Sequence, residues 1–178
     1  MKPFSTINVE RWIEKSKAML DKPILHHEEF WAEDKDFMIK LFDGPTPKER
    51  SDFHINSSPE FFYQLKGEMH CRVIEHDAFV DITVGESDMF LLPSGVPHLN
   101  TREEGSIGLV IHQKRPPGAT DAIAWYCERC CHLLHRVDYV FEDLRAQLPG
   151  FIRGFLADER LRTCGRCGTV MAAFRGYF

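Results

Sequence analysis

Between residues 36 and 112 the chain is cut into short runs rich in Phe, Val, Ile and Tyr, at 37–42, 60–66, 69–75, 78–84, 88–92 and 106–112. Turn formers divide them, among them Gly44-Pro45, Lys66-Gly67 and Pro93-Ser94-Gly95. Runs this short, at this spacing, bury their apolar side chains only by pairing with one another, which predicts an all-β sandwich or barrel. Two helices are expected around it. Residues 8–20 place Val9, Trp12, Ile13, Met19 and Leu20 near one stripe, with Asn8 as N-cap. After Lys114-Arg115-Pro116-Pro117-Gly118 the texture changes, and a helical stretch is expected around 138–148 between two Cys-x-x-Cys pairs. The chain therefore reads as a β domain with an N-terminal helix over 1–118 and a helical C-terminal extension over 119–178.

Charge and hydropathy narrow the setting. A net charge of −5 over 178 residues argues against a general nucleic-acid binder. No apolar run approaches the ~20 residues of a membrane span. The N-terminal segment lacks the apolar core of a signal peptide, so a cytoplasmic location is expected. In that compartment thiols stay reduced, and paired cysteines point to metal before disulfide.

The residues with chemistry lie in the β region. His54 and Glu60 flank Ser57-Ser58-Pro59, a strand–turn–strand pattern, and His98 follows the turn at Pro93–Pro97. Two imidazoles and one carboxylate occupy one face of an octahedral metal and leave three positions for substrate and O₂. Arg50, Asp52 and His54 alternate, as do His98, Asn100 and Arg102, so on strands each arginine shares a face with its histidine. Guanidinium groups suit bidentate capture of a carboxylate.

In the C-terminal part, Cys127-x2-Cys130 and Cys164-x2-Cys167 are separated by 33 residues. Four thiolates make a closed tetrahedral site for Zn²⁺ or iron, hence a structural role. Cys131 and His132 adjoin the first pair, but the matched spacing favours Cys130. Cys71, in a strand-like run, reads as a small core residue.

The pattern His54-x-Asn56-x3-Glu60-x6-Gly67 with Pro93-x-Gly95-x2-His98 resembles the two cupin motifs, which implies a jelly-roll barrel with the metal inside. Many cupins carry His-x-His in the first motif; Asn56 takes the second of those places here. A more specific resemblance runs from about residue 9 to residue 167. Trp12-Ile13, Arg50-Ser51-Asp52-Phe53-His54, Glu60-Phe61-Phe62-Tyr63-Gln64-Leu65-Lys66-Gly67, Phe90-Leu91-Leu92-Pro93, Leu109-Val110-Ile111 and Trp125-Tyr126-Cys127 look like the 3-hydroxyanthranilate 3,4-dioxygenase family.

That resemblance implies Fe(II) held by His54, Glu60 and His98, with Arg50 and Arg102 on the substrate carboxylate. It also implies ring opening of 3-hydroxyanthranilate by O₂ to 2-amino-3-carboxymuconate semialdehyde, which cyclises to quinolinate, in tryptophan breakdown or NAD synthesis. It further implies a rubredoxin-like metal at the four cysteines and a homodimer. Two positions depart from the family: His112 stands where it has a glutamate beside the substrate, and His27 where it has an asparagine. A histidine brings no fixed anion to the amine. The same chemistry on another carboxylated o-aminophenol or a catechol is therefore an alternative. From a different class, a ligand-sensing cupin regulator with a zinc knuckle is weighed against the few basic residues at Arg160, Arg162 and Arg166.

Overall fold

The computed structural model describes residues 6, 8–20, 27–31, 36–142 and 144–174. Helix α1, Val9–Leu20, starts where the sequence places it. Asn8 Oδ1 accepts a hydrogen bond from the Arg11 amide at 2.9 Å, capping one of the amides that a helix start leaves free.

The strand-like runs become strands paired throughout in antiparallel fashion. One sheet has the order β1-β2-β9-β4-β7 and the other β11-β10-β3-β8-β5-β6. The first contains β1 (His27–Trp31), β2 (Phe37–Asp43), β4 (Glu60–Lys66), β7 (Met89–Leu92) and β9 (Ile107–Gln113). The second contains β3 (Phe53–Ile55), β5 (Met69–Glu75), β6 (Ala78–Val84), β8 (His98–Arg102), β10 (Thr120–Tyr126) and β11 (Leu133–Val140). Period-2 alternation turns one side of each strand inward. Phe62, Met69, Cys71, Val73, Val84, Leu92 and Val110 meet between the sheets as the barrel core. Burial pushes the Cys71 thiol up to about 12, as suits an inert core residue.

The C-terminal part differs from the sequence expectation. It opens with two strands: β10 pairs with β3 on one side and β11 on the other, so the six-stranded sheet runs through the proline-rich break at 115–118. The helix expected at 138–148 is displaced. Strand β11 continues to Val140, and α2 spans Leu144–Ala157, followed by the short α3, Glu159–Arg162. Pro149 lies inside α2, where an interior proline costs about 3 kcal/mol. Packing offsets that cost. Leu148, Ile152 and Phe155 form a helical stripe that buries against Ile123, Trp125 and Tyr139 of the sheet. The Phe155 ring stacks on Trp125 with centroids 4.2 Å apart. Phe155→Ala is expected to lower unfolding stability by about 3–5 kcal/mol in urea titrations, since it opens a cavity in this fully buried contact. A loss under 1 kcal/mol would mean that α2 is not what holds β10 and β11.

Candidate functional site

Strand register brings the expected site residues to one interior. β3 and β8 set His54 directly opposite His98. Along β5 and β8, Val73 faces His98, Cys71 faces Asn100 and Met69 faces Arg102, so the alternating histidine and arginine share the core-facing side. Across the barrel, Glu60, Phe62 and Gln64 of β4 oppose His112, Val110 and Gly108 of β9. Gly108 leaves room for the Gln64 amide, whose Oε1 a Cβ there would approach to 2.6 Å.

Glu60 is the centre of this row and only 3% exposed. His98 Nε2 lies 3.2 Å from its Oε2, and Asn56 Nδ2 donates to its Oε1 at 2.5 Å. His112 Nδ1 is 2.8 Å from the same Oε1, though off the line of a good hydrogen bond. Burial alone would raise the Glu60 carboxyl; the charges of His112 and His98 outweigh it and hold the group well below the usual carboxylate range. The Val96 carbonyl, 3.1 Å from His98 Nδ1, is placed to accept a hydrogen bond there, and Nε2 faces Glu60. Either a proton or a metal ion between Nε2 and Oε2 satisfies this contact. The separation also suits two neighbouring donors of an octahedral ion, whose edge is about 3.0 Å for bonds near 2.1 Å. The donor set therefore fits a metal.

His54 is engaged differently. Its Nε2 lies 2.9 Å from Arg50 Nη2 and 3.0 Å from Asp52 Oδ2, and its ring is 6.1 Å from that of His98. Among the described residues, two groups of ligand atoms lie mutually within 4.8 Å, the four cysteines and the surface trio Glu68, His70 and Glu103. His54, Glu60 and His98 are not a third, because Asp52 and Arg50 hold the His54 ring aside. Burial keeps this imidazole below its ordinary value, in the neutral form that ligates metal.

The two arginines are unlike. Arg50 is committed to Asp52 and to the Asn100 carbonyl. Arg102 is buried with Nε and Nη2 lacking a hydrogen-bond partner among the described residues, its guanidinium 5.1 Å from the Phe42 ring. Burial, with the Arg50 charge second, depresses it to about 10. A cation so desolvated is an anion site. His27 starts β1 opposite Phe42, and its side chain lies outside the described residues.

Sequence reasoning gave no role to Asp52, Asn56 and Asp121. The first two sit in the quoted motifs. Asp121, on β10, accepts from the amide and hydroxyl of Ser57 and pairs with Arg115, so it fixes the turn between Asn56 and Glu60 from 64 residues away. No local pattern announces that.

The four cysteines meet as their spacing predicts. Sγ separations of 3.5–3.6 Å compare with an edge of about 3.8 Å for tetrahedral bonds of 2.3 Å. The two turns match: Cys127 O accepts from the Cys131 amide and Cys164 O from the Gly168 amide, with positive φ at Cys131 and Gly168. The Thr169 hydroxyl and amide hold the Cys167 thiol down to about 6. Arg162, weighed above as a nucleic-acid contact, is buried and donates to the Leu156 and Met171 carbonyls. Arg160 pairs with Asp158.

Two antiparallel sheets closed over an inward row of histidine, glutamate and arginine make this a cupin barrel of the histidine–carboxylate kind. Comparison with known proteins narrows the class. The 3-hydroxyanthranilic acid dioxygenase family matches residues 1–156, and the chain belongs to that family. A 3-hydroxyanthranilate 3,4-dioxygenase of Candida albicans is 42% identical over 95% of this chain and 96% of its own. Those of Ruegeria pomeroyi and a Jannaschia species are 43% and 39% identical, each over 96% of this chain and 93% of theirs.

One consequence concerns acid. Burial alone would raise Asp52, but Arg50 and then His54 outweigh it and hold the carboxyl far below its usual range. A depressed carboxyl stabilises the fold above its unfolded value of about 3.9, and that contribution is lost as pH falls toward the folded value. In metal-free protein, the urea midpoint is expected to fall less between about pH 6 and about pH 3 in Asp52→Asn than in the parent. An equal fall would remove Asp52 from this role.

Proposed function

We propose that this chain is a non-haem iron dioxygenase that opens the ring of 3-hydroxyanthranilate with O₂ to give 2-amino-3-carboxymuconate semialdehyde. The observation that carries the reading is the pairing of a buried Glu60–His98 centre with a desolvated, open Arg102 in the same barrel, in a chain of this family. Glu60, His98 and His54 are the residues that would hold Fe(II). When bound, the metal supplies the place where an o-aminophenol and O₂ meet and exchange electrons. His54 would reach the metal by turning from Asp52, its strand position opposite His98 being already in place.

The rest of the work is positional. Arg102 receives the ring carboxylate through Nε and Nη2, and Arg50, braced by Asp52, adds charge beside it. Phe42, lying against the Arg102 guanidinium, walls the ring side of the pocket. The barrel core keeps bulk water from the reacting atoms. His98 keeps its Nδ1 proton on the Val96 carbonyl, so Nε2 remains a lone-pair donor. The four-cysteine site would hold iron or zinc. It has no open position, and it ties the end of β10 to the chain beyond α3, which supports a structural role. Acting as a homodimer in the cytoplasm remains part of this reading.

A second substrate reading rests on one observation: His112 is turned onto Glu60, so it brings no anion to a substrate amine. A ring with hydroxyl in place of amine, such as 2,3-dihydroxybenzoate, is then the competitor. An oxygen electrode separates the two. Fe(II)-loaded protein is expected to consume one O₂ per 3-hydroxyanthranilate, with kcat/KM at least about tenfold above that for the catechol, a difference of about 1.4 kcal/mol. His98→Ala is expected to abolish uptake, and Arg102→Ala to raise KM by about tenfold or more. No uptake from iron-loaded protein would reject this substrate, and uptake with the catechol alone would favour the second reading.

A further inference from the structure

The two oxygens of Glu60 have different surroundings. Asn56 precedes the Ser57-Ser58-Pro59 turn and its amide donates to Oε1 at 2.5 Å. That turn is pinned twice. The amide of Gly95, at φ 78, donates to the Asn56 carbonyl at 2.8 Å, and Ser57 is held by Asp121. Asn56 and the carboxylate are themselves buried, at 5% and 3% exposure. From the other side, β9 sets His112 directly opposite Glu60, with Nδ1 2.8 Å from the same Oε1. Directly opposed residues of an antiparallel pair share a face with Cβ atoms about 5 Å apart, so the register brings His112 to the carboxylate within ion-pair distance, though off the line of a good hydrogen bond. Oε2 alone faces His98 Nε2.

We infer that Asn56 and His112 are positioning residues that hold Glu60 Oε1, so that the carboxylate presents Oε2 alone to the metal site. The inference rests on the reading of Glu60 and His98 as metal ligands. Its consequence is a count of positions. Two imidazoles and one carboxylate oxygen take three of six places, leaving two for a chelating substrate and one for O₂. A carboxylate swung to use both oxygens would take a fourth place, and substrate and O₂ would compete for what remains. His112 thereby acts through Glu60 rather than on the substrate, and Asn56 serves the metal without binding it.

Nitric oxide reads this directly, because its complex with Fe(II) has a characteristic electron paramagnetic resonance signal and forms only where iron has an open position. In Fe(II)-loaded parent protein saturated with 3-hydroxyanthranilate, the nitric oxide signal is expected to persist. In Asn56→Ala, and more so in the Asn56→Ala/His112→Leu pair, iron affinity is expected to fall about tenfold to a hundredfold. Nitric oxide and 3-hydroxyanthranilate should then exclude each other. His112→Gln, which keeps a donor, is expected to restore both properties. Should the pair fail to fold, Asn56→Ala alone carries the same readout. Parent-like affinity and simultaneous binding in Asn56→Ala and His112→Leu would overturn the inference. Glu60→Gln is the control: parent-like iron affinity there would overturn the metal-site reading itself.

Discussion

A carboxylate buried between two β-sheets is the constraint around which this molecule is arranged. An ion taken from water into a protein interior costs several kcal/mol after relaxation, and more if it lacks partners. Glu60 has three such partners, Asn56 before its turn, His98 on β8 and His112 on β9, and Asp121 pins the turn itself. Each of these is polar and buried, and each has to be carried by a strand or turn of fixed register. The barrel supplies that register. The charge in turn makes the interior a place where a cation is favourable.

The C-terminal segment belongs to the same arrangement. Its β10 contributes Asp121, Ile123 and Trp125 along one face, the first to the turn before Glu60 and the other two to the packing of α2. The four-cysteine cluster then brings the residues just beyond β10 against those after α3. A metal held by those thiolates would bear on the site through the position of one strand. The Arg50–Asp52 ion pair within the barrel follows a similar logic. Asp52 braces Arg50, whose charge still reaches Arg102 and helps depress it.

How much of this the sequence disclosed depended on distance along the chain. The core strands were legible because alternation and turn residues are local properties, and α1 because Asn8 caps it. His54, Glu60 and His98 stood out because they sit at motif spacing. The cysteines stood out because their two pairs repeat one geometry. The tail was misread where tertiary packing overrode local preference. Residues 133–140 hold a strand because β10 is there to pair with them, and α2 runs through Pro149 because Phe155 and Trp125 reward it. Asn56 was visible only as a departure from a motif, and Asp121 not at all, since their meaning lies in what the fold sets beside them. His112 was noticed as a departure from the family, and only the register shows that it stands opposite Glu60.

The account stands on iron occupying the Glu60 centre. Anomalous diffraction from crystals of Fe(II)-loaded protein, collected on both sides of the iron absorption edge, locates that metal without reference to activity. A peak bounded by Glu60, His98 and His54, with His54 turned from Asp52 to meet it, is the result this account requires. Iron found at the four cysteines and none beside Glu60, in protein that turns substrate over, would contradict it.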